Sequence, residues 1–124
     1  MIKNKKRRIL IYFFIALYVL GKLNVTADKS MSELAPIYAQ APSKFMEIEG
    51  INIHYRDEGE GDVLVLVHGT GSSLHTWDDW TKELIKTHRV IRLDLPAYGL
   101  TGADPKKRYS SMDYVNLLDT FLIQ

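Results

Sequence analysis

No cysteine occurs among the 124 residues. That excludes disulfides, thiolate metal ligands and a cysteine nucleophile within the chain, and it leaves the compartment open. Acidic residues are absent from the first 27 positions, which carry six basic ones: Lys3, Lys5, Lys6, Arg7, Arg8 and Lys22. The rest of the chain holds ten Lys/Arg against fifteen Asp/Glu. A basic leader on a mildly acidic body argues against nucleic-acid binding and for targeting. Long apolar runs are also lacking. The unbroken stretch Ile9–Leu20 has twelve residues, whereas crossing a bilayer takes roughly 17–25. No repeat or low-complexity tract interrupts the sequence, and the length allows one small domain.

What is present falls into three parts. Residues 1–27 place Lys5-Lys6-Arg7-Arg8 directly before the apolar run, the layout of a signal sequence. Val25-Thr26-Ala27 offers small residues at a cleavage-like spacing. Lengthened by Leu23, Val25 and Ala27, with Lys22 reaching to the interface, the same segment reads equally as an uncleaved anchor. Either reading gives a membrane partner through the N-terminal helix and puts residues 28–124 on the extracytoplasmic side. Asn24-Val25-Thr26 matches a glycosylation acceptor by chance. Residues 28–43 are polar, contain Pro36 and Pro42, and read as a linker with a short helical turn around Ser32–Tyr38.

Residues 44–124 carry an alternating α/β pattern. Phe45–Ile48 and Ile51–Arg56 are expected strands, joined at Glu49-Gly50. The second alternates, with Ile51, Ile53 and Tyr55 against Asn52, His54 and Arg56. Val63–Val67 is apolar without alternation, the pattern of a strand buried on both faces in a parallel sheet. The loop His68-Gly69-Thr70-Gly71-Ser72-Ser73 follows. Trp77, Trp80, Leu84 and Ile85 then predict a helix over about 77–87 with both tryptophans on its core face. Val90–Asp94 is the next strand, broken by Pro96-Ala97-Tyr98-Gly99. Ser110 and Asp113 form a capping box, opening a last helix whose apolar face is Met112, Val115, Leu118 and Leu122.

A strand ending in His-Gly-x-Gly, then a helix, then a strand ending in Asp-x-Pro-x-x-Gly resembles the α/β-hydrolase fold superfamily. The likeness runs from about Lys44 to the C-terminus. Val63–Ser73 looks like that family's third strand and oxyanion loop. Asp94–Thr101 looks like its loop after the fourth strand, usually Asp-x-Pro-Gly-x-Gly-x-Ser/Thr, with Ala97 in place of the usual glycine. The substitution matters only if position 97 needs a positive φ.

The resemblance implies an α/β fold: an antiparallel hairpin, then a parallel βαβ unit, at the start of a hydrolase sheet. It implies acyl transfer, in which negative charge grows on a former carbonyl oxygen and fixed N–H donors stabilise it. In this fold one donor follows the nucleophile and the other comes from the loop after the third strand. By position the oxyanion residues are His68, Gly69, Thr70 and Gly71, with the Thr70 N–H as donor and His68 shaping the loop. His75 and Trp77 are candidates for the pocket mouth.

Nucleophile, acid and histidine should all lie beyond residue 124. Ser110 and Ser111 lack a Gly-x-Ser-x-Gly setting and read as a cap. The 124 residues alone are therefore expected to be inactive and to fold poorly, whether as a fragment or as a tethered remnant. A serine nucleophile would give ester or acyl hydrolysis of a small ester-like substrate. An aspartate would give dehalogenation or epoxide opening, although the Asn-Pro or Phe-Pro often found after His-Gly in those enzymes is replaced here by Thr70-Gly71.

Gly69-x-Gly71 before a helix, with Asp94 ending the next strand, also fits a dinucleotide-binding unit. Leu74 stands where its third glycine belongs, and the hairpin is foreign to it. No cofactor or metal is implied. His75 and Asp79, four apart, could touch without making a metal site, and His54 and His88 read as surface histidines.

Overall fold

The computed structural model describes residues 2–23 and 29–124. The cleavage-like Val25–Ala27 and the acceptor at Asn24 lie outside the described residues. The leader forms helix α1 (Ile2–Leu23), and its described side chains from Lys5 onward are all exposed. Among the described residues no helix is long and apolar enough to cross a membrane, because basic residues close in on both ends of the apolar run. The anchor reading of residues 1–27 has no support from this helix. The segment read as a linker contains a second helix, α2 (Met31–Tyr38), opened by a capping box between Ser30 and Glu33.

Strands β1 (Lys44–Ile48), β2 (Ile51–Glu58), β3 (Asp62–Val67) and β4 (His88–Leu93) form one sheet in the order β1-β2-β4-β3. The hairpin pairs Lys44 with Tyr55 through Ile48 with Ile51. Its two-residue connection, Glu49 (φ 49°) and Gly50 (φ 84°), has positive φ at both positions, which matches the right-handed twist of the flanking strands. β4 runs antiparallel to β2. It runs parallel to β3, with Asp62 opposite His88 and Val67 opposite Leu93. The parallel pair is connected by a 3-10 turn over Leu74–Trp77 and helix α3 (Asp78–Leu84).

Side-chain alternation along β2 and β4 divides the molecule. Ile51, Ile53, Ile91 and Leu93 join Ile48, Leu117 and Phe121 in one core, beneath helix α4 (Ser111–Ile123). His54, Arg56, Arg92 and Asp94 face the other way, toward the 3-10 turn and α3. Arg92 is buried on that face. It bonds Glu58, Asp78 and the Leu74 carbonyl.

Three expectations are corrected. β3 is the sheet's edge rather than a strand buried on both faces, and Val63 is 52% exposed. The connecting helix begins earlier than expected, as the 3-10 turn at Leu74. It is the fully buried Leu74, not Trp80 at 66% exposure, that packs inward. Helix α4 keeps its Ser110–Asp113 capping box but buries Leu117 and Phe121, leaving Met112, Val115 and Leu122 exposed. Apolar residues nearly encircle α4, so periodicity alone cannot choose its inner face. The sheet chooses it, since Phe121 meets Tyr55 edge to face with ring centroids 5.2 Å apart.

Phe121→Ala should therefore lower stability by about 3 kcal/mol through lost burial and a residual cavity. Met112→Ala should change it by less than about 0.5 kcal/mol. Urea unfolding that reversed this ranking would overturn the assignment of the inner face.

Candidate functional site

The loops at the ends of β3 and β4 are organised around one carboxylate. Asp94 follows the last residue of β4, and its N–H donates to the His54 carbonyl at 2.9 Å, extending the ladder by one step. Its side chain is fully buried, against the 3-10 turn. Oδ1 accepts the Leu74 N–H at 2.7 Å. Oδ2 accepts the Leu100 N–H at 2.8 Å and lies 2.8 Å from His54 Nδ1. Burial pushes this acid up, but the bonds from His54, Leu74 and Leu100 outweigh it and leave the carboxyl below its ordinary range.

The rest of the Asp-x-Pro-x-x-Gly-x-Thr stretch serves that carboxylate. A Cβ at Gly99 (φ 51°) would sit 2.1 Å from Asp94 Oδ2, so only glycine fits there. Thr101 Oγ1 accepts the His54 N–H at 2.9 Å. Ala97 has φ 69°, so this position does need the left-handed region, and alanine carries strain there that glycine would not.

His54 is the site residue that the sequence reading missed. Instead of lying at the surface it is fully buried between Asp94 and Ser43, with Nε2 2.9 Å from Ser43 Oγ. Strand alternation put it on the polar face of β2, but that face is covered. Serine, histidine and aspartate in this order resemble a nucleophile relay. Arg56 Nε, however, also donates to Ser43 Oγ at 3.0 Å, and the trio acts as a clasp between residues 38–43 and the sheet.

His68 joins the two loops. Its Nε2 accepts the Leu95 N–H at 3.1 Å, so the ring proton sits on Nδ1, which lies 2.8 Å from the Gly69 carbonyl. Tyr98 packs edge to face against the ring at 5.3 Å. Both nitrogens are thus engaged in structure. Gly71 has φ 72°, and added Cβ atoms at Gly69 and Gly71 would meet nothing within 4 Å. The loop crest is open, and among the described residues the Thr70 N–H has no hydrogen-bond partner.

His75 lines a cavity of about 150 Å³ with Leu34, Tyr38, Ser73, Asp94, Gly99 and Leu100. Its Nδ1 is 3.0 Å from Asp78 rather than reaching Asp79, which pairs with Lys82. Trp77 buries its indole N–H without a partner among the described residues. His88 bonds its neighbour Thr87. No group of three metal-ligating side chains occurs among the described residues.

No family model matches the chain. Individual relatives do. Over 60 residues, 47% of this chain and 17% of the relative, it is 37% identical to epoxide hydrolase 2 of Caenorhabditis elegans. It is 39% identical over 73 residues, 59% of this chain, to a pimeloyl acyl-carrier-protein methyl ester esterase of Legionella pneumophila, covering 30% of it. Among solved structures, the Cif epoxide hydrolase of Acinetobacter nosocomialis superposes with a TM-score of 0.63 at 29% identity, over 80% of this chain and 36% of that one. The chain is thus similar to part of several hydrolases and resembles the α/β-hydrolase fold superfamily in sequence and in fold. It spans less than a third of the length of these two curated relatives.

Ala97→Gly should raise stability by about 0.5–1 kcal/mol by releasing strain. Gly99→Ala should lower it by more than about 2 kcal/mol, because the new methyl group displaces the buried Asp94 carboxylate. A thermal shift of the opposite sign in either variant would contradict the geometry.

Proposed function

We propose that this chain is the front end of an exported hydrolase that cleaves small ester-like substrates through an acyl-enzyme. The loop His68–Gly71 supplies one arm of the oxyanion hole. The observation that carries this reading is the open loop crest with a Thr70 N–H that is unpaired among the described residues, in a loop that His68 ties to Leu95. A donor fixed in this way needs no reorganisation when charge develops on the substrate oxygen. The nucleophile, its acid and its histidine are expected in sequence that the longer relatives carry beyond the matched region.

The likeness to epoxide hydrolases favours a second reading, in which an aspartate at the nucleophile position opens an epoxide through an alkyl-enzyme. The residue at that elbow separates the two chemistries. Both use the same front loop.

In the complete enzyme, Thr70→Pro deletes the N–H and should lower kcat on a p-nitrophenyl ester by roughly 10²–10³ with little change in KM. Thr70→Ala keeps the N–H and should stay near the native rate. Full kcat in the proline variant would remove Thr70 from the oxyanion hole.

Residues 1–27 are read as an export signal rather than a spanning anchor. Support comes from the tetrabasic stretch before an apolar run of signal-core length. Intact mass of the extracytoplasmic protein should show a start after Ala27. A mature protein that keeps its leader would refute cleavage.

A further inference from the structure

Residues 29–43 lie across the site as a strap. At its far end Ser43 is clasped by His54 and Arg56, at 2.9 and 3.0 Å. At its middle the Tyr38 carbonyl is held less tightly. Arg56 Nη2 and Ser43 Oγ reach it only at 3.4 Å, and its shortest partner is His75 Nε2 at 3.2 Å. Leu34 and Tyr38 of the strap close the cavity whose other walls are Ser73, His75, Asp94, Gly99 and Leu100.

The chemistry of the His75 contacts is unusual. A backbone carbonyl can only accept, so Nε2 must carry a proton to bond Tyr38. Asp78 Oδ2, 3.0 Å from Nδ1, is also an acceptor when ionised, so Nδ1 must carry one too. Burial pushes Asp78 up, but hydrogen bonds from His75 and Arg92 outweigh it and hold the carboxyl below its usual range. Asp78 therefore stays an acceptor where histidine titrates. Both bonds exist together only in the imidazolium. Without one proton, the remaining N–H goes to the carboxylate, the stronger charge-assisted partner. An imidazole lone pair then faces the Tyr38 carbonyl at close range.

We propose that the strap is a proton-operated cover: imidazolium at His75 pins Tyr38 and closes the cavity, and loss of that proton lifts the strap about its Ser43 clasp. The charged and titratable groups that face His75 come from several elements. Asp78 lies on its own turn-and-helix element. Arg92 comes from β4, and Arg56 from β2 lies 3.8 Å from Asp78. Also from β2, the His54 ring is 6.3 Å away, and from the strap the Tyr38 ring is 5.6 Å away. Asp94 lines the same cavity. Closure takes up a proton, so the cover is favoured as pH falls and released as pH rises.

The test is made in the complete enzyme, to which these 124 residues contribute no cysteine of their own. Ile37→Cys on the strap and Trp80→Cys on α3, both exposed positions, accept nitroxide labels whose separation is read by double electron–electron resonance. One short, narrow distance is expected at about pH 5.5. At about pH 8 the ratio of short to long populations should fall about threefold or more. His75→Gln should abolish the pH response. His75→Arg, cationic throughout with donors for both acceptors, should stay short at both values. Identical distributions at the two pH values in the labelled parent, or an unchanged response in His75→Gln, would overturn the proposal.

Discussion

Everything at the C-terminal ends of β3 and β4 depends on keeping the Asp94 carboxylate charged inside the protein. Taking an isolated carboxylate out of water is prohibitive unless hydrogen bonds replace its hydration. Here one ring nitrogen and two backbone N–H groups face it. Each partner anchors a different segment: His54 the hairpin, Leu74 the turn after the His68–Ser73 loop, Leu100 the loop after β4. One charge thereby fixes three loops that are distant in sequence. Any of them moving away would leave a buried anion short of a donor.

The same logic explains which parts of the fold were legible beforehand. The hairpin, the βαβ order and the Ser110 cap are local patterns, and alternation, turn chemistry and capping residues reveal them. Gly99 and the Asp94 motif were legible as a family signature, though not their purpose. His54 was hidden because β2 alternates as if one face met water, and no local signal says that a distant aspartate and a strap cover that face. The inner face of α4 was hidden for the opposite reason. Met112, Val115, Leu117, Leu118, Phe121 and Leu122 offer more apolar surface than one sheet can bury.

β3 shows how composition speaks of a larger setting. Its run of five apolar residues reads as doubly buried, yet β3 forms the sheet's edge with Val63 and Val67 exposed. Longer relatives align over only a minor fraction of their length. A strand with interior composition in an edge position leaves apolar side chains uncovered among the described residues. An uncovered edge of this kind is also a template for unwanted pairing.

The polar groups of this chain divide by whether their hydrogen-bonding capacity is used up. Asp94, His54, His68 and Arg92 have every polar side-chain atom bonded within the protein, so they act as structure. Among the described residues the Thr70 N–H is unpaired at an open loop crest, where an approaching oxygen would supply its acceptor. His75 falls between these cases, since its two partners together demand one more proton than a neutral ring holds. Satisfied groups hold the scaffold, and two donors left without a partner among the described residues differ in setting: the Trp77 indole N–H is buried, whereas the Thr70 N–H lies at an exposed loop.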